Sequence, residues 1–351
     1  MPRRAWGLAA VLAAAAVAVA AAADRGRGGD PVEVTGFSMG TYVHVVAEGP
    51  GAQEAAAGVL PELDRMTRAL DRFDPGSDVA RLNARAGEGP VTVGSETTRL
   101  IGEALRLARL SDGAFDPTIG PLVDLWGFVD PEAVEENEDA QGTVRGRHLP
   151  DVPAIEAARA RVGYRWLQLA EDGQAASLDR AGMVLDLGGI AKGWAVDRLA
   201  ERFRGAGVTR ALIDLGGNLY ALGGRPDGSP WRVGIQHPRR PGAVIAVVEA
   251  TDEALATSGD YERYFIDGGT RYSHLLDPAT GYPARELASV TVLAPHGVDA
   301  DGLSTAVFVL GPERGARLVE SLPGVEAVFV DTEMKVTYTS GLRGRIQVMD
   351  P

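Results

Sequence analysis

The chain has 351 residues, enough for one large domain or two smaller ones, and its 45% hydrophobic and 24% charged content is that of a globular protein. With 48 acidic against 35 basic residues the net charge is -13, which argues against nucleic acid as a partner. The absence of cysteine excludes disulfides, thiolate nucleophiles, Cys-ligated zinc and a lipid-modified Cys near the N-terminus.

Arg3 and Arg4 precede an Ala-rich, uncharged run from Ala5 to Ala23, the layout of an export signal with small residues at Ala21 to Ala23 for cleavage. The run is also near the ~20 residues that span a bilayer, so residues 1–23 read as either a signal peptide or a retained signal anchor, exported by the Sec or the twin-arginine route. An exported protein is the expectation, periplasmic or on the outer face of the cytoplasmic membrane. Residues 24–31 are a polar linker. Residues 32–351 form a single domain, with a surface insertion at about 130–152 where acidic residues replace apolar ones.

Val32 to Val46 reads as two strands around Gly36-Phe37-Ser38-Met39-Gly40-Thr41. Gly36 to Gly40 fits the Gly-x-Ser-x-Gly pattern of hydrolase nucleophiles, but that motif needs a helix after the serine. A strand follows here, so Ser38 reads as a turn residue, with a serine hydrolase as the minor alternative. Glu54 to Leu70 is one helix packing through Leu60, Leu63, Met66 and Leu70, and Ser77 or Asp78 caps a short helix toward Asn83. Glu96 to Leu110 is a further helix, stopped by the Gly- and Pro-rich Ser111 to Pro121, which exposes Phe115 beside Asp116. Pro153 to Val162 is a helix, and Trp166 to Leu169 with Ala175 to Leu178 a hairpin. Past Asn218, strands are expected over 219–222, 231–236, 244–249, 254–257, 264–266, 272–275 and 288–293. Helices over 300–310 and 312–321 and a strand pair over 325–330 and 335–339 close the chain. The fold class is α+β, with a large mixed, mainly antiparallel sheet flanked by helices.

Three segments carry chemistry. Met183-Val184-Leu185 reads as a strand ending in Asp186-Leu187-Gly188-Gly189, followed by a helix from Ile190 to Arg204, a strand at Ala211 to Ile213 and a second Asp214-Leu215-Gly216-Gly217. Glycines between a strand and a helix let backbone amides approach an anion, and Asp186 with Lys192 adds one charge of each sign, which suits a phosphate ester held with a metal. The plainer reading is a pair of tight turns. Asp301 and Thr305 stand four apart on a predicted helix, so a carboxylate and a hydroxyl share one face and can reach a hard cation such as Mg²⁺; helix capping is the alternative. Ser273-His274-Leu275 leads into a turn at Asp277 to Gly281, where His274 is either a general base or a histidine at a sheet edge.

These pieces, Ser38 to Thr41, Phe73 to Asn83, Gly113 to Pro117, Asp186 to Gly193, Gly216 to Asn218, Ser273 to Gly281 and Ala300 to Thr305, resemble in order the FAD:protein FMN transferase family, also called ApbE. The resemblance implies a T-fold-like core and a Mg²⁺-dependent transferase that splits FAD, attaches FMN through a phosphoester to a Thr or Ser of an acceptor protein, and releases AMP. It implies FAD contacts from Met39, Phe73, Ala114, Phe115, Asp116, Asp186, Lys192 and Leu275. Mg²⁺ would take the Gly189 carbonyl, Asp301 and Thr305, with Ser304 as a further candidate. His274 and Asp301 are the catalytic candidates; for the general base His274, Asp277 and Asp301 stay open. At Phe73 the family often has Tyr or Trp, so a stacking ring is kept and a hydroxyl lost. The family's targets carry an Asp-Gly-x-x-Thr/Ser-Gly-Ala-Thr signal that this chain lacks, so transfer in trans is expected, to a flavoprotein subunit of a membrane electron-transfer system. The competing functions are FAD pyrophosphatase, with water as the acceptor, and non-catalytic flavin binding or storage.

Overall fold

The computed structural model describes residues 31–128 and 149–349. The expected signal or anchor, the linker up to residue 30 and most of the acidic insertion lie outside the described residues.

An eight-stranded sheet runs in the order β1-β2-β6-β7-β10-β13-β14-β15. Its strands are β1 (Val32–Ser38), β2 (Thr41–Glu48), β6 (Arg210–Leu215), β7 (Asn218–Leu222), β10 (Glu253–Gly259), β13 (Leu287–Ala294), β14 (Glu326–Asp331) and β15 (Val336–Tyr338). Every pairing in it is antiparallel. Side chains of a strand alternate between two faces, and both faces are apolar here. Ala211, Ile213, Tyr220, Ala254, Ala256, Val290, Val292 and Phe329 join the core on the helical side. Leu212, Leu219, Ala221, Leu255, Leu293, Val328 and Val330 join a second core beneath a three-stranded sheet of β8 (Trp231–Gln236), β9 (Val244–Ala250) and β16 (Ile346–Val348).

The helical side holds α1 (Ala52–Ala57), α2 (Val59–Leu70), α3 (Asp78–Ala84) and α4 (Ser95–Leu110), then α7 (Ala191–Gly205) and α8 (Gly297–Glu320). A smaller sheet of β3 (Val91–Thr92), β5 (Ala175–Leu178) and β4 (Leu167–Leu169) packs beside them. At the far end α5 (Gly120–Trp126), α6 (Val152–Arg159) and the hairpin β11 (Tyr264–Asp267) and β12 (Thr270–Ser273) enclose an aromatic cluster of Trp126, Phe128, Phe265 and Tyr272.

Several expectations change. The helix read over Glu54 to Leu70 breaks at Gly58, because a Cβ there would lie 1.8 Å from the Arg202 guanidinium of α7. Met183 to Leu185 is extended but is no strand: Val184 forms one parallel bridge to Ile119, the single parallel pairing among the described residues. The second Asp-Leu-Gly-Gly is a hairpin turn, with Gly216 and Gly217 at φ 59° and 89° joining β6 to β7. Phe115 is buried, not exposed. The helices expected over 300–310 and 312–321 are continuous as α8 except at Gly311, whose φ of 76° and ψ of 177° precede Pro312. β3, β16 and α5 were not anticipated.

Candidate active site

The site is built where the first turns of α7 and α8 cross. Gly193 and Gly297 let the backbones touch: a Cβ on Gly193 would stand 2.1 Å from the Gly297 carbonyl oxygen, and one on Gly297 would stand 2.4 Å from the Gly193 carbonyl oxygen. Each helix then caps the other. Asp197 of α7 accepts from the Gly297 and Val298 amides at 2.6 and 2.9 Å, and Asp301 of α8 accepts from the Gly193 amide at 2.8 Å. Both carboxylates therefore serve free amides at a helix start, but across the interface instead of along the chain.

Asp301 is buried, and burial pushes its carboxyl above the usual range against the pull of Lys192 and the amides of Gly193 and Lys192. Gly189, in the turn leading into α7, packs beside Thr305: a Cβ on Gly189 would lie 3.5 Å from Thr305 Oγ1 and 3.4 Å from Phe115 Cε2. Thr305 is half-buried one turn after Asp301. Gly189, Asp301 and Thr305 thus meet from two segments far apart in sequence. Among the described residues no group of three or more His, Cys, Asp or Glu side chains could hold a metal. The donors here are instead one carboxylate, one hydroxyl and a carbonyl, an all-oxygen set suited to a hard cation that keeps waters or phosphate oxygens. Ser304 differs: its hydroxyl donates to the Asp301 carbonyl at 2.8 Å and shares a 2.8 Å bond with Ser258, so it braces α8 against β10.

Lys192 is the cation of the site. Its Nζ lies 3.5 Å from the Gly188 carbonyl, and its charge is felt by Asp301, His274 and Glu262. His274 follows β12, and its Nδ1 lies 3.3 Å from the Arg263 carbonyl. A carbonyl only accepts, so this contact places the proton on Nδ1 and leaves Nε2 as a lone pair with no partner among the described residues. Surrounding protein, Arg263 and Lys192 lower the imidazole pKa to about 4, so the ring is neutral at physiological pH. Its neighbour Leu275 is buried in the main core.

The preceding loop is tied from several sides. Asn83 on α3 donates to the Leu185 carbonyl and accepts from the Leu185 amide, at 2.9 and 2.7 Å, clamping the segment as a strand neighbour would. Asp186 Oδ1 accepts from the Gly188 amide at 2.8 Å, while Arg72 Nε stands 3.3 Å from Oδ2. Asp116 is buried and accepts from the Thr118 amide and hydroxyl and from the Tyr164 amide at 2.8, 2.7 and 2.9 Å. It holds the Gly113 to Pro117 turn in shape, which seats Ala114 and Phe115. Phe73 is 62% exposed at the loop between α2 and α3. Met39 occupies the β1–β2 turn at φ 53°, partly packed on the core. Ser38 donates to Asp64 at 3.1 Å and is buried at the end of β1, so it is no exposed nucleophile.

Sequence reading passed over Asp197, Arg72, Glu262 and the clamp role of Asn83. Only Asp197 left a trace: it lies one turn past Gly193, as Asp301 lies one turn past Gly297.

This fold is shared with ApbE proteins of known structure. A crystal structure of an ApbE protein from Thermotoga maritima superposes with a TM-score of 0.79 at 33% identity, covering 90% of this chain and 99% of that one. The apo form of the Pseudomonas stutzeri flavinyl transferase ApbE gives 0.78 at 36% identity, covering 92% and 98%. The ApbE family profile matches residues 39–329. A relative from Treponema pallidum named FAD:protein FMN transferase is 36% identical over 325 residues, 88% of this chain and 86% of its own length. The chain belongs to the ApbE family.

Proposed function

We propose that the protein is a Mg²⁺-dependent FAD:protein FMN transferase. The observation that carries this reading is the meeting of Gly189, Lys192, Asp301 and Thr305 at the α7–α8 crossing. Asp301, Thr305 and the Gly189 carbonyl would hold the metal. The fit rests on the all-oxygen donor set: a buried carboxylate held by the Gly193 and Lys192 amides, the Thr305 hydroxyl one turn further along α8, and the Gly189 turn packed beside that hydroxyl. A bound Mg²⁺ would neutralise charge on the pyrophosphate and offset the cost of burying Asp301.

The chain's own groups supply the remaining requirements. Lys192 places a positive charge beside the phosphates. Gly188 and Gly189 leave room for the pyrophosphate at the start of α7, and Phe73 offers a flat apolar face to a heteroaromatic ring. In the reaction an acceptor Thr or Ser oxygen bonds to the flavin-side phosphorus, the bridging P–O bond breaks, and AMP leaves with the electron pair. The hydroxyl proton goes to His274 Nε2, the lone pair left free by the Arg263 carbonyl.

The acceptor is a separate protein, a flavoprotein subunit of a membrane electron-transfer system, and the site of action is the periplasm or the outer face of the cytoplasmic membrane. The proposed membrane tether is the N-terminal segment; no helix among the described residues is long and apolar enough to cross a membrane.

The test mixes the protein with FAD and Mg²⁺, with and without an acceptor carrying the Asp-Gly-x-x-Thr/Ser-Gly-Ala-Thr signal, and follows AMP release. Acceptor-dependent AMP supports the transferase; AMP at the same rate without acceptor points to the pyrophosphatase, and FAD binding without AMP to storage.

A further inference from the structure

Arg72 is an unusual residue for a surface loop. It follows α2 in the turn from Asp71 to Ser77, which closes on itself through the Phe73 amide to Asp71 Oδ1 at 2.9 Å and the Ser77 hydroxyl to the Asp71 carbonyl at 2.5 Å. Its side chain is nevertheless only 7% exposed. The guanidinium binds Asp124 of α5 through Nη2, and Nε stands 3.3 Å from Asp186 Oδ2 without making an aligned hydrogen bond. Nη1 is buried with no hydrogen-bond acceptor among the described residues. The guanidinium carbon lies 4.7 Å from the centroid of the Phe73 ring.

A guanidinium kept only to staple the fold would be expected to spend its donors, because burying them unpaired forfeits their hydration without a replacement. Here the planar cation instead touches, at once, a carboxylate of the Asp186 to Gly189 turn and one face of an aromatic ring whose remaining surface is open. Asp186 also shapes that turn through the Gly188 amide, and Gly188 and Gly189 lead into the Lys192 and Asp301 cluster.

We propose that Arg72 is a positioning residue for the dinucleotide substrate, holding the Asp186 carboxylate and the Phe73 ring as one rigid unit. The cation covers one ring face and leaves the other to stack on a flat heteroaromatic ring, while the ion pair sets the height of the Asp186 turn. This rests on the transferase reading for the identity of the ligand as FAD. Arg72 touches no reacting atom, so its contribution falls on substrate binding and not on the chemical step.

The experiment measures FAD affinity by flavin fluorescence quenching, and kcat and KM for FAD, in the full-length protein and in Arg72→Met, Arg72→Lys, Phe73→Leu and the Arg72→Met/Phe73→Leu double variant. Arg72→Met is expected to weaken FAD binding about tenfold while kcat at saturating FAD stays within about twofold. Arg72→Lys, which keeps the charge but not the planar fork, should recover part of the loss and reports alone if Arg72→Met does not fold. The double variant should lose less than the two single losses combined, since both remove one unit. Native-like FAD affinity in Arg72→Met or additive losses would overturn the proposal, as would a fall in kcat at unchanged KM. Should the unaltered protein bind no FAD, the transferase reading falls and takes this role with it; binding by the unaltered protein and equally by Arg72→Met removes the role of Arg72 alone.

Discussion

Replacing Asp197 with Ala tests the reciprocal capping that sets α8, and with it Asp301 and Thr305, against α7. The carboxylate accepts two amides at 2.6 and 2.9 Å, and its loss leaves both buried at the start of α8. At about 1–3 kcal/mol per unsatisfied donor, partly recovered by relaxation, a loss on the order of 2–3 kcal/mol is expected. The pH dependence gives the sharper signature. Burial raises the Asp197 pKa from 3.8 to about 6, against the pull of the two amides and the charges of His296 and Arg198. A carboxyl with a raised folded-state pKa contributes stability that is fully present below the unfolded value and is lost as pH rises through the folded one. Its share, about 3 kcal/mol for a shift of roughly two units, should therefore disappear between about pH 4 and pH 6. Urea unfolding of the native protein and of Asp197→Asn, run from pH 4.5 to 7.5 with the m-value held, isolates this dependence: the native protein should lose stability relative to the Asn variant as pH rises. A difference that is flat across that range, or that grows with pH, would contradict the burial-raised pKa, and an Asp197→Ala protein as stable as native at pH 5 would refute the capping account.

Other expectations follow from single contacts. In Gly193→Ala the new methyl would meet the Gly297 carbonyl oxygen of the α8 backbone at 2.1 Å and the Asp301 side chain at its Cβ at 2.5 Å, so thermal melting should register a loss of about 1–3 kcal/mol and Mg²⁺-dependent activity should fall with it. Thr305→Val keeps the shape but removes a proposed ligand; it should raise the Mg²⁺ concentration needed for half-maximal activity while leaving the melting temperature close to native. With the His274 pKa near 4, its part in the pH–rate profile should be flat above about pH 6, and a rate inflection near 6.5 that vanishes in His274→Gln would count against it.

Local pattern revealed most of the sheet. The strand expected over 231–236 has the observed bounds Trp231–Gln236, and glycines mark the turns at Met39-Gly40 and Gly268-Gly269, because alternation and turn chemistry are written in neighbouring residues. The errors arose where a distant segment decides. The break in the first long helix exists because Arg202 fills the space a side chain at position 58 would need. Phe115 is buried because Ser111 Oγ accepts its amide at 3.0 Å and folds the turn inward. Met183 to Leu185 has the apolar look of a strand, yet it is held by Asn83 instead of by a sheet.

The site shows the same division. Asp301 and Thr305 were visible as a helical pair, and Gly189 with Lys192 as a glycine turn before a helix, but their meeting depends on Gly193 lying against Gly297. The Arg72 pairing has no local pattern at all, since it is a contact between elements remote in sequence, and the Asp197 cap shows locally only in its spacing one turn past Gly193.

The central claim is tested most directly by the intact mass of an acceptor protein incubated with FAD, Mg²⁺ and the enzyme. A gain of one FMN less one water on the acceptor's Thr or Ser, absent without Mg²⁺ and absent with Asp301→Ala, is the predicted result. An acceptor of unchanged mass while FAD is consumed to FMN and AMP would contradict it.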